Sequence, residues 1–179
     1  RWQATDAKLT DAANEAKDNV KYLFTLERFL EPLYKGTPAQ VTELCPALLN
    51  SIKMIHTIAR YYPTPQRMTG LFAKITNTLI SNCKRCLLGG ADETVMNSAT
   101  VLWGRDPAGL VADLKSAIAL NTAYQEQYHV TKAKLAAMNA SGNGSTRQFE
   151  GFVAEAEVFA KFDLFAVRAA KLIDLFSTI

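Results

Sequence analysis

The side chains of this chain that could do chemistry fall into a few short stretches. "CKRC", Cys83 to Cys86, has the spacing of a redox dithiol or of half a zinc site. A redox pair gains reactivity at a helix N-terminus, where the dipole favours the thiolate. Here the thiols fall near the end of a helical pattern, which works the other way. A zinc site needs two more ligands, and Cys45, His56 and His129 show no paired spacing that would supply them. "EQYH", Glu126 to His129, has the Glu-x-x-His spacing of di-iron bundles. That chemistry takes a second such motif and further inward-facing glutamates. The other histidine, His56, has Lys53 three residues before it, so half a site stands alone. Glu27 and Glu31, one turn apart, could share a proton. With Arg28 and Lys35 beside them, they read more simply as surface carboxylates.

The densest stretch is "IKMIHTIARYYPTPQRM", residues 52–68, with a histidine, two arginines, two tyrosines and two prolines. His56 and Arg60 lie one step off an apolar line, Ile52, Ile55 and Ala59. "YYPTP" then reads as a turn whose rings cover a bundle end while their hydroxyls stay wet. The stretch is a helix corner rather than an active site. Phosphate-cradling, nucleophile-elbow and zinc-protease motifs are absent from the sequence. No catalytic, cofactor-binding or metal-ligating residues are expected.

Composition narrows the class further. The chain has 179 residues, 49% apolar and 21% charged, with a formal net charge of +3 and acids and bases interleaved. That suits one domain or two small ones with a sizeable core; with the helical pattern below, the expectation is a single helical-bundle segment over 1–179. It lacks the basic stripe of a nucleic-acid reader, and no apolar run reaches the ~18 residues of a membrane span. Three cysteines and no signal peptide favour a reducing compartment. Two "Asn-x-Ser" matches, at Asn139 and Asn143, lie in an Asn/Ser/Gly-rich stretch where chance matches are common. The chain starts at Arg1 and finishes in a helical pattern with no stop signal, so both ends read as cut.

The elements that must position these groups are helices. A first is expected from about Asp6 to Tyr34, with Leu9, Ala13, Ala16, Val20, Leu23, Leu30 and Tyr34 as its apolar stripe and Pro32 and Gly36 stopping it. "TPAQ", Thr37 to Gln40, is a capping box with proline at the first helical position. It opens a second helix, kinked or restarted at Pro46, with Cys45, Leu48, Ile52, Ile55, Ala59 and Tyr62 as its seam. Thr64-Pro65 repeats the device for a third, with Met68, Phe72, Ile75, Leu79, Cys83 and Cys86, closed by Gly89-Gly90 in the left-handed region. A looser connector spans 89–106. Asp106-Pro107 starts a fourth helix with Leu110, Leu114, Ala117, Asn121, Tyr124, Tyr128, Leu135 and Met138 on one face. A flexible loop over 139–149 leads to a fifth, strongly apolar helix. Strand and hairpin signatures are almost absent. The fold is all-α: an elongated antiparallel bundle of about five long helices.

"LTDAANEAKDNVKYLFTLE", "PLYKGTP", "MIHTIARYYPTPQRMTGLFAKITN", "WGRDPAGL", "LNTAYQEQYHVTKAKL" and "FAKFDLF" together resemble the N-terminal tail of dynein heavy chains, in the family's order and over nearly the whole chain. The axonemal, outer-arm type is the nearer likeness. The resemblance implies a stem segment of a very large motor subunit. Such a tail joins heavy chains together, carries intermediate and light chains, and anchors the motor to the doublet microtubule of a cilium or flagellum through docking components. It also implies that ATP hydrolysis lies in a ring outside these residues, and it transfers no catalytic residue here. The rival readings are an independent helical adaptor without a motor and a metal-dependent bundle enzyme.

In the tail reading, partners dock outside the apolar seams. Trp103 and Arg105 belong to residue types enriched at interface hot spots, and Lys84 and Arg85 add charge nearby in sequence. Their plainer alternatives are Trp103 folding back over the bundle end and Lys84-Arg85 as a solvated helix face. Asn121 either fixes register as a buried amide or faces water.

Overall fold

Where three of the long helices begin is decided by polar caps. The computed structural model describes residues 2–90, 98–141 and 152–178. In chain order these form α1 (Trp2–Leu23), a 3-10 turn (Phe24–Leu26), α2 (Glu27–Lys35), α3 (Pro38–Ile58), α4 (Pro65–Leu87), α5 (Ser98–Trp103), α6 (Pro107–Ala140) and α7 (Glu155–Phe176). The Thr37 hydroxyl accepts from the Gln40 N–H (3.3 Å) while the Gln40 side chain accepts from the Thr37 N–H (2.9 Å), so the expected capping box is complete. Thr64 accepts from the Arg67 N–H at 3.3 Å, and Asp106 from the Gly109 N–H at 2.7 Å. Each of these helices has proline in its first turn, where the missing donor costs nothing. At the other end of α4, Gly90 N–H reaches the Arg85 carbonyl (2.8 Å) and Gly89 N–H the Cys86 carbonyl (3.0 Å). Both glycines have positive φ, 67° and 88°, which side chains resist.

The apolar seams then fix the packing. α6 is the spine, lying along α3 on one side and α7 on the other; α4 lies against α7, and α2 against α3 and α4. Successive long helices of this body run antiparallel. Phe72 meets Tyr128 (5.3 Å between ring centroids) and Thr76 meets the Tyr124 hydroxyl (3.4 Å), while the start of α6 lies by the end of α4. Two side-by-side pairs are therefore parallel. α3 and α6 begin at the same end of the bundle, and so do α4 and α7, as the Ala154 N–H donating to Thr69 shows.

Phe72, Tyr124, Tyr128 and Phe162 are fully buried at the centre of the main core. Phe152 and Phe159 complete it through edge contacts: Phe159 lies 4.9 Å from Tyr128 and Phe152 5.8 Å from Phe72. Such offset rings add to simple area burial. A smaller cluster, Leu87, Leu110, Leu114, Ala169 and Phe176, fills the opposite end, with Phe165 touching both.

Several expectations change. The first helix is not continuous: the 3-10 turn at Phe24–Leu26 separates α1 from α2. A 3-10 turn advances about 120° per residue rather than 100°, so three such residues rotate the side chains of α2 by about 60°. Accordingly Phe29 and Leu33 enter the core, while Leu30 and Tyr34 stay half exposed. The α1 part of the stripe is not buried either: Leu9 is 66% and Val20 67% exposed. Pro32 lies inside α2, and Gly36 ends it. α3 runs unbroken through Pro46, whose ring faces water. At the far end of α6, Met138 is exposed. The connector expected over 89–106 contains α5. Of the loop over 139–149, Asn139 and Ala140 belong to the last turn of α6 and Ser141 follows it; the rest, with Asn143, lies outside the described residues.

Candidate functional site

Three of the four proposed interaction residues cluster where α2, α4, α5 and α6 converge. Arg105, just beyond α5, directs one guanidinium nitrogen to the carbonyls of Cys86 (3.2 Å) and Leu87 (2.9 Å) at the end of α4. Its other nitrogen pairs with Asp113 of α6 at 2.7 Å. A cation on those orphan carbonyls also meets the negative end of the helix dipole. Arg85 does the same for α2, donating to the carbonyls of Lys35 (3.0 Å) and Gly36 (3.1 Å). Asn82 adds a bond to the Gly36 carbonyl at 2.8 Å. Both arginines therefore clamp this corner. Trp103 rests on Phe176 with centroids 5.1 Å apart, yet remains 58% exposed. It covers part of the bundle end and still offers a ring face to solvent. Lys84 projects from the last turn of α4, on the exposed side.

The stretch 52–68 is the α3–α4 corner, with residues 59–64 between the helices. It holds α1 by polar contacts. The Asp18 carboxylate accepts the N–H groups of Arg60 (3.0 Å) and Tyr61 (3.3 Å). Arg67 donates to the Tyr61 carbonyl at 2.8 Å and pairs with Glu15 of α1. His56 stands edge-on to Phe152, 4.9 Å between centroids.

The remaining chemistry-bearing groups are in structural surroundings. Burial pushes the Cys45 thiol up to about 11, and burial with neighbouring Cys86 pushes Cys83 up to about 12. Cys86, half-buried, is raised too, again by burial first. All three cysteines are free thiols held away from the thiolate form that does chemistry. In "EQYH", Glu126 and His129 are exposed. Tyr128 between them is buried and donates to Glu155 at 3.1 Å. Lys132 pairs with the same carboxylate, which its hydrogen bond holds below the usual range. Among the described residues no group of three or more His, Cys, Asp or Glu comes together as a metal site. Nor is any helix among them long and apolar enough to cross a membrane. Glu31 pairs with Lys35 at 3.1 Å across open surface. Asn121 is buried and donates to Asp163 of α7 at 3.0 Å, with Gln125 bridging both at 3.0 and 2.6 Å. This polar layer sets the α6–α7 register.

Sequence reasoning missed the tether between α1 and the corner and the Arg105 clamp. Their partners are backbone groups and carboxylates at no fixed spacing, such as 8 residues for Asp113 with Arg105 and 43 for Asp18 with Tyr61, so no motif marks them.

An all-helical body sewn by apolar seams and end clamps is a helical-bundle module. Along its whole length, residues 1–179, the chain matches the family model "Dynein heavy chain, N-terminal region 1". It belongs to the dynein heavy chain family, in that region. It is 42% identical over 179 residues to "Dynein gamma chain, flagellar outer arm" of Chlamydomonas reinhardtii, covering all of this chain and 4% of that protein. It is 39% identical over 177 residues to "Dynein axonemal heavy chain 5" of Mus musculus, covering 99% of this chain and 4% of the relative. With "Dynein axonemal heavy chain 8" of Mus musculus the identity is 35% over 178 residues, again 99% and 4%. The chain thus spans a small fraction of the length of the relatives it matches.

Proposed function

We propose that this chain is a tail segment of an axonemal dynein heavy chain, of outer-arm type, working in the axoneme of a cilium or flagellum. Residues 1–179 act as one bundle that transmits force along the stem and presents side surfaces to other heavy chains, intermediate and light chains and docking components. ATP hydrolysis belongs to another part of the parent chain. The observation that carries this reading is the match to the heavy-chain N-terminal region over every residue, on a fold whose seams resist bending because packed side chains would have to slide. At the α4–α5 corner, Trp103 and Lys84 are the docking side chains, and Arg85 and Arg105 hold the corner in shape.

The test is replacement in the full-length heavy chain of a flagellated cell. Phe72→Ala with Tyr128→Ala should leave axonemes without the arm, seen by electron tomography, while ATPase activity of the isolated motor portion is unchanged. Normal arms despite a disrupted bundle would count against a load-bearing tail. A parent transcript of ordinary length without a nucleotide-hydrolysing ring would replace this reading by an independent helical adaptor.

A further inference from the structure

α1, the 3-10 turn and α2 run antiparallel to α3. Arg28 donates to Ser51 at 2.9 Å, Phe24 and Met54 line one groove, and Asp18 reaches the backbone of Arg60 and Tyr61. α1 therefore meets the α3–α4 corner at Glu15 and Asp18, and its earlier residues continue past that corner. α7 starts at the same end, where the Ala154 N–H donates to Thr69, and finishes at the other, where Phe176 lies under Trp103. Trp2 and Phe176 thus stand at opposite ends of the bundle, so a pull between them runs along α1. Burial along α1 is uneven. Trp2 and every residue from Ala4 to Asn14 are exposed, whereas Glu15, Asp18, Asn19, Tyr22 and Leu23 are half-buried.

Helices in water lean on tertiary packing, and a stretch of this length on its own is marginal even when rich in alanine. Here "WQATDAKLTDAAN" also holds two threonines, two aspartates and an asparagine, all weaker helix formers than alanine. The hold on the corner comes next in the chain. Glu15 pairs with Arg67, and the Asp18 carboxylate accepts two N–H groups at 3.0 and 3.3 Å. Beyond the 3-10 turn, α2 is anchored by buried Phe29 and Leu33. Resistance to a pull thus rises in three steps along the chain: an unburied stretch, a polar latch, an apolar anchor. We infer that residues 2–14 are an extensible joint, which unwinds under axial tension and is halted at Glu15 and Asp18 by the latch on the α3–α4 corner. Each residue that leaves the helix lengthens from about 1.5 Å to about 3.4 Å along the chain, so the joint adds roughly 25 Å before the latch stops it. Its place in an axoneme rests on the proposed stem function, in which load crosses this bundle.

The experiment holds this chain in optical tweezers by peptide tags added before Arg1 and after Ile179. A reversible gain of about 25 Å in contour length is expected at a force below the one that unfolds the bundle. Glu15→Ala with Asp18→Ala removes the latch and should lengthen that first gain to roughly 40 Å, through Leu23, with the bundle still unfolding as a later, separate event. Ala7→Gly with Ala12→Gly, which leaves the latch intact, should lower the force of the first gain and keep its length. An α1 that lengthens only together with the bundle would overturn the inference. So would a latch variant whose first gain stays at the parent's length, or a glycine variant that extends at the parent's force. No axoneme enters these measurements: failure of the joint leaves the stem role standing, and failure of the stem role leaves the joint measurable.

Discussion

Two regions of this molecule use the same kind of sequence in opposite ways. In α3, α4, α6 and α7 the apolar stripe faces inward, and Leu48, Phe72, Tyr124 and Phe162 are sealed from water. In α1 an equally regular stripe faces outward, and the helix is held by Asp18 and Glu15 on its polar side. Periodicity therefore says that a helix wants a partner along one face, without saying that the partner is in the same chain. Hydrophobic burial holds the body together; hydrogen bonds to Asp18 and the Arg67–Glu15 ion pair hold α1, and those are worth much less when partly exposed.

The largest expected effect tests that contrast directly. Phe72→Ala should cost about 3–5 kcal/mol, the range for a fully buried aromatic ring, and lower the melting midpoint by roughly 6–20 °C. Leu9→Ser with Val20→Ser should move stability by no more than about 0.5 kcal/mol. Calorimetry of both variants decides it; comparable losses would mean that α1 shares the core. Next comes Gly36→Ala. A Cβ there would stand 2.6 Å from the Pro32 carbonyl oxygen, so the end of α2 must shift. That shift disturbs the Gly36 carbonyl on which Asn82 and Arg85 converge. A loss of about 1–3 kcal/mol is expected in denaturant unfolding. A neutral result would show α2 to be more loosely docked than its buried Phe29 and Leu33 imply.

Legibility in the sequence follows the same division. The caps at Thr37, Thr64 and Asp106 and the seams of α3, α4 and α6 were readable because each depends on residues within a turn or two of one another. The all-α architecture followed from them. The path from α1 into α2 was not readable, because no residue in "FTL" announces a 3-10 turn, yet the turn rotates every later side chain. Nor was the use of Arg105 and Arg85 readable. A guanidinium that clamps carbonyls of another helix looks, in sequence, like one that binds a partner. Trp103 stays intermediate in the structure as well, stacked on Phe176 and still open on its other side. The polar layer at Asn121 shows the limit of periodicity: spacing placed it on the seam, but only Asp163 and Gln125 explain why an amide belongs there.

A smaller effect isolates the tether of α1. Asp18→Ala removes the acceptor for two backbone N–H groups of the α3–α4 corner. Amide exchange should quicken across α1 and at residues 60 and 61, while the body keeps its protection. The local cost is about 1–2 kcal/mol, as for a charged acceptor partly open to water. If exchange quickened equally in α6, the tether would belong to the global fold and the two regions would not be separable.

The smallest effect lies inside the body, where polar groups join α6 to α7. Glu155 accepts from Lys132 and Tyr128, and the Lys132 bond is the main cause of its lowered pKa. A carboxyl whose folded pKa lies below its unfolded value adds stability above the unfolded value, near 4.3. That contribution is lost as pH falls through the lower folded value. Stability measured from pH 7 to pH 3 should therefore drop slightly more steeply in the parent chain than in Glu155→Gln, with the two profiles converging at the acid end. About 0.2–1 kcal/mol is expected, because both partners are partly exposed. Tyr128 makes the sign informative. Its own pKa is raised, by burial first and by Glu155 second, so it remains a neutral donor throughout this range. Of Tyr128 and Glu155, only the carboxyl changes charge in this range. A difference that grew toward pH 9 rather than pH 4 would place the sensitive group elsewhere in the bundle.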